Sequence, residues 1–117
     1  MRRLLAGLAV LLTVLVLGGT SLAATPKLTG TTGPGFTITL KSAGKSVKVL
    51  KAGTYTIVVS DKSSIHNFHL FGPGVNKTTS VPFTGTKTWT VKLKRGKYTY
   101  QCDIHVASGM KGSFTVS

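Results

Sequence analysis

The chain has 117 residues, with 15 Lys and Arg against two acidic residues, a formal net charge of +13, 14 glycines and one cysteine. That length holds one globular domain behind a leader and leaves no room for a second. A single cysteine excludes an intrachain disulfide framework. Lysines scattered from Lys41 to Lys97, without a dense Arg-rich run or a basic helix, exclude the footprint of a nucleic-acid binder.

Met1-Arg2-Arg3 is a short basic start, Leu4 to Leu17 an apolar core, and Ser21-Leu22-Ala23 a small-x-small cleavage signal. The pattern predicts a secretory signal peptide over residues 1–24, cut near Ala23/Ala24, because the apolar run is short for a membrane-spanning helix. If it stays uncleaved, it is the one means of membrane attachment. The expected location is therefore secreted or periplasmic. Cleavage would remove Arg2 and Arg3 and leave a charge of +11, set by Asp61 and Asp103 against the remaining cations. Such a field favours acidic partners and salt-dependent encounter.

Residues 25–35, rich in Thr, Gly and Pro, read as a linker or first irregular segment. From there the chain alternates with the period of half-buried strands. Phe36, Ile38 and Leu40 form one apolar face, and Val47, Val49 and Leu50 suggest a short second strand. Tyr55, Ile57 and Val59 lie on one face of the strongest β-former, TYTIVVS. The segment around His66 reads as a further strand, stopped by Gly72-Pro73-Gly74, and Asn76 to Thr86 as polar and irregular. Trp89, Val91 and Leu93 then oppose Lys92 and Lys94. Tyr98, Tyr100 and Cys102 share the inner face of the next strand, and Phe114 and Val116 point inward from the last. About seven short strands and no amphipathic helix predict an all-β, antiparallel Greek-key β-sandwich.

The chemistry concentrates in Tyr98 to Gly112, YTYQCDIHVASGMKG. Cys102, His105 and Met110, spaced C-x2-H-x4-M, offer a thiolate, an imidazole and a thioether, a set that suits copper cycling between two oxidation states. A trigonal site of that kind needs a second imidazole, and Ile65-His66-Asn67-Phe68-His69 is the source upstream. In these residues the sequence resembles the cupredoxins of the plastocyanin, amicyanin and azurin kind, over about Phe36 to Ser117. The resemblance implies a copper-binding domain spanning residues 36–117. It implies one type 1 copper ion on His66, Cys102 and His105, with Met110 as the weak axial ligand. Asn67 would be the residue that hydrogen-bonds across to the backbone beside the cysteine. His66 is preferred to His69 because Asn follows it, as in the family; three apart on a strand, the two would face opposite ways.

The implied function is transfer of single electrons between redox proteins, acidic ones given the lysines, by a monomer that is not an enzyme. His105 would be the exposed edge of the site, with an apolar rim including Val106, Pro73 and Met110. The alternative is copper binding and trafficking without electron transfer. A third reading is a basic sandwich that binds anionic polymer. Zinc is a weaker fit, since a closed tetrahedron wants four strong N or S ligands and Met is not among its usual partners. A Cys-His nucleophile pair lacks an evident orienting group.

Overall fold

The computed structural model describes residues 13, 14, 18 and 24–117. Apart from those first few positions, the expected signal peptide and its cleavage site lie outside the described residues. Among the described residues, no helix is long and apolar enough to cross a membrane.

Among the described residues, ten strands fold into two five-stranded sheets. They are β1 (Lys27–Thr32), β2 (Ile38–Ser42), β3 (Lys45–Ser46), β4 (Val49–Leu50), β5 (Gly53–Asp61), β6 (His69–Gly72), β7 (Val75–Thr78), β8 (Gly85–Leu93), β9 (Gly96–Gln101) and β10 (Lys111–Val116). The first sheet has the order β3-β2-β1-β5-β8 and the second β4-β10-β9-β6-β7. The chain crosses between the sheets after β3, β4, β5, β7 and β8, so neighbours in sequence are often partners across the core rather than within a sheet.

The β-sandwich is as expected, but the expected purely antiparallel pairing is not. β1 runs parallel to β5, from Lys27 opposite Thr56 to Thr32 opposite Asp61, and β4 runs parallel to β10. Both sheets are mixed. The segment 25–35, expected as linker or irregular chain, contains β1, which lies between β2 and β5 inside the first sheet. Its Thr-Gly content hid an alternation in which Leu28, Gly30 and Thr32 face inward. Gly30 fits because Phe68 lies over it; an added Cβ would meet the ring at 2.8 Å. Asn76 to Thr86, expected as irregular, likewise supplies most of β7 and the start of β8.

Period-2 burial builds the core elsewhere. β5 turns Tyr55, Ile57 and Val59 inward and continues the same face to Asp61, which is buried. From the other sheet come Leu70, Tyr98, Tyr100, Phe114 and Val116. Two further glycines make room for the tyrosines: a Cβ at Gly72 would run into the Tyr98 ring and one at Gly112 into Tyr100. The Tyr98 hydroxyl donates to the Pro73 carbonyl (2.7 Å) and accepts from the Lys94 N–H (2.9 Å), pinning the β6–β7 and β8–β9 turns together. This knot sits at the start of β9; the end of β9 delivers Cys102, about 13 Å away at ~3.3 Å per residue.

Candidate metal centre

The loop after β9 is held by its own backbone. Cys102 N–H donates to the Met110 carbonyl (3.0 Å), and Met110 N–H to the His105 carbonyl (3.3 Å). His105 N–H returns to the Cys102 carbonyl (3.2 Å), and Ser108 N–H to the His105 carbonyl (2.9 Å). A single 3-10 turn, Val106–Ser108, ends at Gly109 with φ of 91°, a left-handed conformation that favours glycine. The spacing C-x2-H-x4-M therefore closes as one compact loop, with Cys102 and Met110 backbone-paired across its base.

His66 arrives from the β5–β6 connection. It does not lie on a strand, contrary to the sequence expectation, and β6 begins only at His69. Side chains divert the backbone here: Asp61 Oδ1 accepts from Ser63 N–H (3.2 Å), Ser63 Oγ accepts from Ile65 N–H (3.3 Å), and His66 N–H reaches the Ser63 carbonyl. Local acceptors of this kind compete with ladder pairing. Thr79 secures the connection from the far side, donating to Asp61 Oδ2 and accepting from Phe68 N–H, both at 2.9 Å. Burial, the largest influence, pushes the Asp61 carboxyl above its ordinary range, against the Ser63 and Thr79 hydrogen bonds and the nearby His66.

These two loops bring His66, Cys102 and His105 together, with one ligand atom of each within 4.8 Å of the others. His66 Nδ1 lies 2.9 Å from His105 Nδ1, and Cys102 Sγ lies 3.7 Å and 3.5 Å from those two nitrogens. Two bonds of about 2.1 Å meeting near the tetrahedral angle leave their donors ~3.4 Å apart. The triangle is thus one ion wide, slightly narrow along its nitrogen edge. His66, Cys102 and Met110 are fully buried and His105 is half-buried. Two imidazole nitrogens and a thiol converging on one point in an apolar setting have a common cation as their simplest counterpart. Three strong soft or borderline donors without a fourth fit trigonal copper better than a closed zinc tetrahedron.

Asn67 bridges the two loops. Its Oδ1 accepts from Asp103 N–H (2.8 Å), the residue after the cysteine, and its Nδ2 donates to Asp103 Oδ2 (3.0 Å) and Thr78 Oγ1 (3.1 Å). His69 stays outside the triangle: its Nδ1 meets Asp103 Oδ1 (2.9 Å) and its Nε2 meets Asn76 Oδ1 (2.6 Å). It acts as a second tie between β6, β7 and the metal loop. Burial draws the Asp103 carboxyl upward, but hydrogen bonds from Gln101, His69 and Asn67, with the His69 charge, outweigh it and hold it below the usual carboxylate range.

The rim differs from the expected one. Pro73 belongs to the Tyr98 knot at the opposite end of β9, and Met110 is buried. The exposed apolar residues around the site are Phe36 (61% exposed), Ile65 (53%) and Ile104 (56%), the last two adjacent in sequence to the histidines. Phe36, expected on the inner face of a strand, lies before β2 and presents its ring to both imidazoles. Sequence reasoning missed this residue; its place directly after Gly33-Pro34-Gly35 was the available signal that the strand had not yet begun.

Fold and donor set together define a cupredoxin-like sandwich carrying a site for one type 1 copper ion. No family model matches the sequence, and no curated protein does. Among solved structures the chain is similar to the copper protein rusticyanin, with a TM-score of 0.61 at 20% identity, over 82% of this chain and 80% of that one. It is also similar to dithionite-reduced auracyanin from the photosynthetic bacterium Roseiflexus castenholzii (TM-score 0.56, 20% identity, 81% and 99% covered). A multi-copper oxidase from Pediococcus acidilactici matches over 84% of this chain but only 28% of its own (TM-score 0.54, 20% identity).

Proposed function

We propose that the protein is an extracytoplasmic carrier of single electrons in which His66, Cys102 and His105 would hold one copper ion, with the Met110 thioether as a further, weaker ligand. Copper held there supplies a one-electron couple. The observation that carries the reading is the His66–Cys102–His105 triangle, assembled at one end of a two-sheet sandwich. The resemblance to rusticyanin and auracyanin supports it.

The chain's own residues do the rest. The paired backbone of Cys102 and Met110 and the Asn67 bridge hold the donors still, so little rearrangement accompanies a change of charge. Burial of Cys102 and His66 excludes water, while half-buried His105 leaves a short path outward. Around it Phe36, Ile65 and Ile104 offer an apolar contact, and the lysines attract acidic redox proteins to a monomer. Export rests on the residue 1–24 pattern.

The deciding experiment is visible absorption of the purified protein with Cu(II), before and after ascorbate. The expected result is an intense thiolate-to-copper band that bleaches on reduction and returns on reoxidation, is retained in His69→Ala and is lost in His66→Ala. A colourless copper complex with an intact Cys102 thiol would overturn the reading in favour of copper binding without electron transfer. Association with an acidic redox partner should also slow as salt rises; a flat dependence would remove electrostatic steering.

A further inference from the structure

The tip between β1 and β2 is pressed onto the metal site in two places. Gly33, with φ of 70°, approaches so closely that an added Cβ would stand 3.1 Å from His66 Cδ2 and 3.0 Å from Ser63 Cβ. Its N–H donates to the Thr37 carbonyl (2.9 Å), which closes the turn and sets the direction in which Phe36 leaves it. The Phe36 ring then lies edge to face with both imidazoles, its centroid 5.3 Å from that of His66 at 72° and 4.9 Å from that of His105 at 86°. The two imidazoles are themselves 4.7 Å apart. One aromatic ring is therefore in contact with both nitrogen donors, although it belongs to neither loop that carries them.

The burial sequence shows what the ring does there. Phe36 is 61% exposed, His105 is half-buried and His66 is fully buried. The part of the ring that is not in water faces the two imidazoles. Edge-to-face contacts between aromatic rings are favourable beyond burial, and two of them set where the ring rests and how both imidazoles are rotated.

We propose that Phe36 is the shutter of the metal pocket: it fixes the orientation of both imidazoles and closes the site to water and small anions. For its consequences at the metal, this rests on the copper reading above; for closure of the pocket, it does not. The β1–β2 turn thus works as a third wall beside the two ligand loops. The site is shielded by a side chain from the opposite sheet, one that a redox partner meets before it meets His105.

The test compares wild type, Phe36→Ala and Phe36→Trp. The ring is mostly exposed, so the alanine protein is expected to fold, with an unfolding midpoint a little below that of wild type. In the metal-free proteins, alkylation of Cys102 by iodoacetamide should be several-fold faster in Phe36→Ala and near the wild-type rate in Phe36→Trp. In the Cu(II)-loaded proteins, azide should leave the visible band of wild type and Phe36→Trp unchanged and should perturb that of Phe36→Ala. Equal alkylation rates and equal indifference to azide in wild type and Phe36→Ala would overturn the proposal, as would an azide-sensitive wild type. If no thiolate-to-copper band forms even in wild type, the electron-carrier reading fails, and the metal-free alkylation rates still decide whether Phe36 closes the pocket.

Discussion

Asn67→Ala removes the one side chain that joins the His66 loop to the Cys102 loop by hydrogen bonds at both its oxygen and its nitrogen. Three bonds disappear: Asp103 N–H to Asn67 Oδ1 at 2.8 Å, and Asn67 Nδ2 to Asp103 Oδ2 and Thr78 Oγ1 at 3.0 and 3.1 Å. A neutral bond contributes about 1 kcal/mol net and one to a charged group about twice that. The Asp103 side chain is 43% exposed, so its share is taken at the low end. The expected loss is about 2–3 kcal/mol, which for a domain of this size lowers the melting temperature by roughly 10–20 °C. Thermal unfolding of the metal-free protein followed by circular dichroism measures it without copper chemistry intervening. Asn67→Asp sharpens the argument. It keeps the acceptor for Asp103 N–H but loses the donor and sets two carboxylates against each other. It should be as damaging as alanine at neutral pH and recover on acidification, when one of the pair takes a proton. An alanine variant melting within about 2 °C of wild type would refute the reasoning, because that shift corresponds to less than one ordinary hydrogen bond.

Further expectations come from the opposite end of the sandwich and from the buried acid. Tyr98→Phe leaves the Pro73 carbonyl and Lys94 N–H without their shared partner at a part-buried turn; a cost of about 1–2 kcal/mol is expected in denaturant unfolding, with an unchanged copper spectrum. Gly112→Ala puts a methyl into the Tyr100 ring, an overpacking worth about 1–3 kcal/mol in the same assay, whereas Gly44→Ala meets no neighbouring atom and is penalised only for its positive φ. For Asp61 the sign follows from its raised folded value. The folded state binds the proton more readily than the unfolded chain, so wild-type stability declines as pH rises from the ordinary carboxylate range through the folded value. Asp61→Asn lacks that decline, so its deficit against wild type should shrink from acid toward neutral pH; a constant deficit from acid to neutral pH would contradict the raised value.

Alternation made much of the sandwich legible, and it failed where polar or small residues occupied the inward positions. β5 could be read at once from Tyr55, Ile57 and Val59. β1 could not, because Gly30 and Thr32 hold two of its three inward sites, and Gly30 owes its burial to Phe68, far away in sequence. β7 stayed hidden for a related reason. It is an edge strand with three exposed residues out of four, held by pairing with β6 rather than by an apolar face of its own. Parallel pairing of β1 with β5 leaves no local trace at all, since the partners are joined through β2, β3 and β4.

The candidate site divides along the same line. Cys102, His105 and Met110 lie within nine residues and close through backbone bonds among themselves, so their spacing alone exposed them. His66 was found through its neighbour Asn67, and the bond from Asp103 N–H to Asn67 supplies the physical reason that the pair should travel together. Had both lain on one strand, His66 and His69 would have faced opposite ways. Instead the Asp61–Ser63 turn lifts His66 out of the ladder, and His69, at the start of β6, ties Asp103 from outside. Phe36 was invisible because its function depends on an angle: the turn at Gly33 and the start of β2 at Ile38 rotate it from the inner face onto the imidazoles. Residues that bind through short loops can be read from spacing, and residues that act by covering a site from another sheet require the fold.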